Sequence, residues 1–174
     1  VVYQQADVSS RADVDRVFAQ IRHNYGALHG IFHCAGVIRD RYLLEKSATD
    51  VAAVLAPKVA GTLHLDAVTR AEALDFLLLF SSITGLRGNA GQADYAVANA
   101  FLDSFAAHRQ TLVARGERFG KTVSINWPLW ADGGMKVDAA TLALLAHEGI
   151  VPLSTAAGLH FIEQTLAAAD GISQ

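Results

Sequence analysis

Ser82 and Tyr95 stand thirteen positions apart, and Asn99 follows Tyr95 by four. On a helix a four-residue step is one turn, so phenol and carboxamide share a face with Cβ atoms about 5–6 Å apart. Ser81 and Ser82 close the apolar run Phe76–Phe80, His33-Cys34-Ala35-Gly36 closes Leu28–Phe32, and Asn126-Trp127 closes a run that starts at Lys121. Hydroxyls and amides donate hydrogen bonds and a phenol can also give up a proton, so the chemistry these groups suit is acid catalysis at an oxygen atom. Cys34 is the single cysteine. That excludes an internal disulfide framework and a cysteine zinc site, and no metal is expected.

Such residues need elements to hold them, and strand and helix patterns alternate along the chain. Val1–Val8 reads as a strand. Ser10-Arg11-Ala12-Asp13 resembles a capping box with Asp in the place of Glu, followed at helical spacing by Val14, Val17, Phe18 and Ile21, and Gly26 ends that helix. Leu28–His33 is a second strand. From about Ser47 to Arg70 the pattern is helical but interrupted by Pro57 and Gly61, which predicts a kink or break. Asp75–Phe80 is apolar on both faces, as parallel strands covered by helices are. Ser81–Gln92, with three glycines, reads as a loop. Tyr95–Ala114 is an amphipathic helix with Ala98, Phe101, Leu102, Phe105 and Leu112 on its apolar side. Lys121–Trp127 is a further strand, Pro128–Lys136 a lid-like loop, and helices follow near Asp138–His147 and Ser154–Ala169. This alternation predicts an α/β fold, a doubly wound parallel sheet with helices on both faces, whose crevice lies beyond the carboxyl ends of the strands.

The composition fits that reading. The chain has 174 residues, 52% hydrophobic and 18% charged, with a formal net charge of −3. That suits one domain, or a large piece of one, and offers no basic footprint for nucleic acid. No apolar run reaches the roughly 18 residues that span a bilayer, and no signal-peptide pattern opens the sequence, so a reducing, cytoplasmic setting without a membrane partner is expected. The first strand reads as already under way, as in a piece cut from something longer.

Ser82 and Tyr95, the latter within Gln92-Ala93-Asp94-Tyr95-Ala96-Val97-Ala98-Asn99-Ala100, resemble the short-chain dehydrogenase/reductase superfamily. Within it the pattern is similar to the ketoreductase domain of modular type I polyketide synthases. Most short-chain reductases carry Lys four places after the Tyr, where this chain has Asn99. The polyketide branch draws its Lys from the preceding helix, in a segment like Leu55-Ala56-Pro57-Lys58-Val59-Ala60-Gly61-Thr62. Phe80-Ser81-Ser82, His33-Cys34-Ala35-Gly36 and Trp127-Pro128-Leu129-Trp130 with Gly134-Met135 also look like that branch. The resemblance covers nearly the whole chain and implies the C-terminal catalytic part of a Rossmann-like domain, as one segment over 1–174, lacking the first βαβ unit.

What the resemblance implies is reduction of a β-ketoacyl thioester, carried on an acyl carrier protein, to the β-hydroxyacyl thioester, with NADPH as cofactor. Tyr95 would be the proton donor, Ser82 a hydrogen-bond donor to the ketone oxygen, Lys58 the cation that stabilises the phenolate, and Asn99 the holder of a water in the proton relay. Asp7, Val8, Ala35, Gly36, Lys58 and Tyr95 would contact the cofactor. Asp40, Gln92, Trp127, Leu129 and Met135 would face the substrate. His33 would be structural, Cys34 a small buried hydrophobe. The final Asp of Ile38-Arg39-Asp40 and Arg87 in place of a Trp lean toward a D-configured β-hydroxyl. No G-x-G-x-x-G turn occurs, so the N-terminal half of the ketoreductase, alongside neighbouring synthase domains, is an expected partner, without which the chain would be inactive. Two alternatives stand beside this reading, a structural or non-reducing lobe and a free-standing short-chain reductase.

Overall fold

A computed structural model describes residues 1–134, 137–147 and 149–168. They fall into two compact units, one of Val1–Asn126 and one beginning at Trp127. The first holds α1 (Arg11–Tyr25), β1 (Gly30–His33), α2 (Ala48–Val68), β2 (Phe76–Ser82), a short α3 (Ile83–Arg87), α4 (Ala93–Ala114) and most of β3 (Lys121–Trp127). The second contains α5 (Ala139–His147) and α6 (Thr155–Ala167). The result is an α/β fold, a partial Rossmann-like arrangement around a three-stranded parallel sheet in the order β1-β2-β3.

Local sequence accounts for most of these elements. Ser10 caps α1, its hydroxyl accepting from the Asp13 amide, and Gly26 closes it at φ 78°. The reciprocal half of that box is diverted: the Asp13 carboxylate accepts from the Asp7 amide at 2.9 Å. A complete capping box starts α2 instead, between Ser47 and Asp50. In β1–β2 pairing Gly30 lies opposite Phe76, and a Cβ on Gly30 would sit 2.3 Å from the Phe76 ring. Leu77, Leu78 and Leu79 are consecutive and all fully buried, so both faces of β2 are covered. On one face Leu77 and Leu79 pack with Leu102, Phe105 and Ala106 of α4. Val14 and Phe18 of α1 meet Leu65 of α2 beside Ile31.

Three expectations need correction. Val1–Asp7 is not a strand: the sheet of the described residues has three strands, none of them here, and without a ladder partner an extended segment stays irregular and exposed. Nor do Pro57 and Gly61 break α2, which runs unbroken for 21 residues. Burial between α1 and α4 outweighs the roughly 3 kcal/mol that an interior proline costs. Gly61 is there for contact, since a Cβ would lie 2.9 Å from Val8 Cγ1. Finally, Ser81 and Ser82 end β2 rather than opening a loop, and Ser82 goes straight on to cap α3.

By length and mean hydropathy alone α2 could cross a membrane. Its polar residues instead belong to a protein core. Arg109 of α4, fully buried, donates to the Asp66 carboxylate, the Thr122 hydroxyl and the Phe119 carbonyl, and Arg118 donates to the same carboxylate.

Candidate active site

Tyr95 sits at the start of α4, 5% exposed, with α2, the end of β2 and α3 around it. Burial raises its pKa, while hydrogen bonds from the Asn99 and Ser82 side chains pull it back and the Asp40 carboxylate adds to the rise. Lys58 comes from α2: its Nζ lies 5.9 Å from the centre of the Tyr95 ring and donates to the Phe80 carbonyl at 2.7 Å. Lys58 is 4% exposed, and burial lowers its pKa to about 8, against the opposing pull of Cys34 and Asp103. A cation this poorly hydrated gains much from a neighbouring negative charge, and a phenolate would supply one. The four residues Lys58, Ser82, Tyr95 and Asn99 are thus brought together.

Close backbone approach makes this possible. A Cβ on Gly85 of α3 would meet the Ala100 nitrogen at 3.0 Å and Asn99 Cβ at 3.1 Å, so only glycine lets the turn after Ser82 lie against α4 at that level. Asn99 is fully buried, its Nδ2 donating to the Tyr95 carbonyl at 2.8 Å. Its Oδ1 has no hydrogen-bond partner among the described residues. Beneath, Asp103 accepts from the Ser124 hydroxyl at 2.6 Å and the Asn126 amide at 2.8 Å; Asn126 also donates to Ser81 Oγ, and Ser81 Oγ donates to the Asn99 carbonyl. Sequence reasoning passed over Asp103, although its place four residues beyond Asn99 on an otherwise apolar face is the signal that marks it.

Of the cofactor candidates, Lys58, Gly36 and Val8 meet at α2. Gly36 lies against Lys58, where a Cβ would come 3.2 Å from Lys58 Cε, and half-buried Ala35 precedes it. Val8 touches Gly61, one turn along α2 from Lys58, and its carbonyl lies 3.2 Å from His64 Nδ1. Asp7 forms a turn before α1, its Oδ1 accepting from both the amide and the hydroxyl of Ser9, which lower its pKa. His33 is buried and its Nε2 bonds the Pro57 carbonyl at 3.1 Å. That fixes the ring as an Nε2–H donor, and burial with the Lys58 charge lowers its pKa to about 4. Cys34 is exposed, not the buried hydrophobe expected from its type.

Of the substrate candidates, Asp40 and Gln92 are joined, Gln92 Nε2 donating to Asp40 Oδ2 at 2.8 Å. Trp127 and Leu129 belong to the second unit. There Trp127 packs edge-on against Trp130 and Phe161, with centroids 4.9 and 5.8 Å apart, and Gly158 leaves room for the Trp130 ring. Leu129 and Trp130 line a cleft of about 420 Å³ with Val137, Leu142 and Pro152. Met135 lies outside the described residues. Among the described residues no group of His, Cys, Asp and Glu could hold a metal ion.

Comparison with known proteins agrees on one family. Residues 1–132 match the family described as the KR domain. Polyketide synthase PksL of Bacillus subtilis is 46% identical over 159 residues, 91% of this chain and 4% of that protein. PksN of the same organism is 45% identical over 167 residues, 95% of this chain and 3% of that protein. The crystal structure of a ketoreductase domain from the bacillaene assembly line superposes with a TM-score of 0.92 at 46% identity, over 96% of this chain and 40% of that one.

Proposed function

This chain belongs to the ketoreductase domains of modular type I polyketide synthases, and on that premise we propose that it carries the proton-donating part of an NADPH-dependent β-ketoacyl thioester reduction. The observation that supports this most is the arrangement at Tyr95, whose phenol takes hydrogen bonds from Ser82 and Asn99 beside a buried cation held on a different helix. NADPH, when bound, would supply a hydride to the β-carbon. As the ketone oxygen gains charge, the Ser82 hydroxyl donates a hydrogen bond to it and Tyr95 passes it the phenolic proton. Lys58 lowers the cost of the phenolate that remains. Asn99 Oδ1, which has no partner among the described residues, accepts from a water through which the phenol regains its proton.

The residues fit the cofactor's nicotinamide end. Gly36 leaves free the space beside Lys58 that a Cβ would take, so the ammonium can reach ribose hydroxyls together with Tyr95. Ala35 allows a close backbone approach beside it, and Asp7 and Val8 are assigned to the adenine end. A pyrophosphate-binding turn is not among the 174 residues, and that contact is assigned to the N-terminal half of the ketoreductase. Asp40, Gln92, Trp127, Leu129 and Met135 are assigned to the acyl chain, presented in the cytoplasm by an acyl carrier protein, and Asp40 to the D-configured product.

The test is NADPH oxidation with a β-ketoacyl thioester mimic, by this chain joined to the N-terminal half of its ketoreductase. Tyr95→Phe should lower turnover by about 10²–10⁴-fold with cofactor binding intact. Unaltered turnover in that variant would remove Tyr95 from the chemistry. A wild-type protein that binds NADPH without turnover would mark a non-reducing lobe.

A further inference from the structure

We propose that Lys46 is a positioning residue for the acyl substrate: its buried ion pair with Asp94 locks the segment Arg39–Lys46, and Asp40 with it, onto the first turn of α4. The inference rests on the ketoreductase reading above. Lys46 Nζ lies 2.6 Å from each Asp94 carboxylate oxygen, with side chains 1% and 2% exposed, and it also donates to the Arg39 carbonyl. A pair buried so completely contributes little net stability, because desolvation cancels most of the attraction. What it does supply is a fixed geometry.

That geometry ends on the catalytic tyrosine. Asp94 Oδ1 also accepts from the Tyr95 amide at 2.9 Å. The carbonyl held by Lys46 immediately precedes Asp40, whose carboxylate takes Gln92 Nε2, and the Arg41 amide donates to the Gly91 carbonyl at 3.0 Å. Among the described residues, the hydrogen bonds that tie Arg39–Arg41 to other segments thus run to Gly91, Gln92 and Lys46. Apolar packing does not hold the segment, since Tyr42, Leu43 and Leu44 are 65%, 65% and 100% exposed. Lys46 is therefore the anchor that decides where Asp40 stands relative to the phenol.

Lys46→Met in the complete ketoreductase tests this with two readouts. Amide exchange at Arg41 reports the clamp without substrate, and it should quicken. Steady-state kinetics report positioning: KM for the thioester mimic should rise about tenfold or more, since a displacement of about 1 Å in a positioning group can cost 10²-fold. The kcat should stay within about threefold and KM for NADPH should not move. Asp40→Asn should raise the thioester KM in the wild-type background and add nothing in the Lys46→Met background. Unchanged Arg41 exchange, an unchanged thioester KM, or additive effects of the two substitutions would each overturn the proposal. If Lys46→Met loses its cooperative unfolding, Lys46→Arg, which keeps the charge and shifts its placement, carries the same comparison. A wild-type protein without turnover overturns the ketoreductase reading and this inference together, and that result differs from an active wild type with an indifferent variant.

Discussion

Lys58→Met removes a buried charge while keeping most of the side chain's volume. The wild-type ammonium is charged below its pKa, which burial lowers from 10.5 to about 8. Between those values the unfolded chain keeps a proton that the folded protein has released, so raising the pH through the window favours folding. At about 1.4 kcal/mol per unit, the interval from 10.5 to about 8 corresponds to about 3 kcal/mol of stability, missing below pH 8 and recovered by 10.5. Methionine avoids that cost at neutral pH but forgoes the bond to the Phe80 carbonyl, worth about 1 kcal/mol. The variant should therefore be more stable than wild type by about 2 kcal/mol at pH 7 and slightly less stable near pH 10.5. Tyr95 opposes this trend in both proteins, because its raised pKa makes folding less favourable as the phenol titrates in the unfolded chain. The difference between the two curves isolates Lys58. Denaturant unfolding of the complete ketoreductase at pH 7 and pH 10 measures it, with NADPH oxidation expected to fall sharply in the variant. A variant less stable at pH 7, or stability curves that stay parallel to pH 10, would refute the reasoning.

Other outcomes follow from the same contacts. Gly85→Ala should lower stability by about 1–3 kcal/mol through overpacking against Asn99 and Ala100, read as a lower Tm with a parallel loss of kcat. His33, whose pKa falls from 6.5 to about 4, contributes stability above pH 6.5 that is lost as the pH drops toward 4. His33→Gln, which keeps a donor for the Pro57 carbonyl, should flatten that part of the acid unfolding curve. Arg109→Met should cost about 3–5 kcal/mol in denaturant unfolding, because it strands part of a buried network around Asp66 and Thr122.

The sheet and the helix that carries Tyr95 were legible because their signals are local. Three consecutive leucines announce a strand buried on both faces, and Lys121–Trp127 matched the observed strand at both ends. Gly26 and Ser10 marked the limits of α1 because caps act within a few residues. What escaped depends on distant partners. Val1–Val8 has strand-like composition, but a strand exists only where another backbone pairs with it. Pro57 reads as a helix breaker, and only tertiary packing overrides it. The grouping of Lys58, Ser82, Tyr95 and Asn99 came from a family resemblance in spacing, since no local rule would connect Lys58 with Tyr95 across 37 positions. Lys46 and Asp94 look like ordinary surface charges in sequence, and only folding shows that they bury each other.

Lys58 and Tyr95 occupy different helices, and this changes what sets the distance between the cation and the phenol. Had the cation stood at position 99, its distance from the phenol would be dictated by the pitch of one helix and would be nearly immutable. Here the separation is an adjustable quantity, fixed by how α2 lies on α4. A substitution along that seam would change this separation without touching either residue. The Asp66–Arg109 ion pair joins the same two helices farther along the seam, so it is one of the contacts that set this separation.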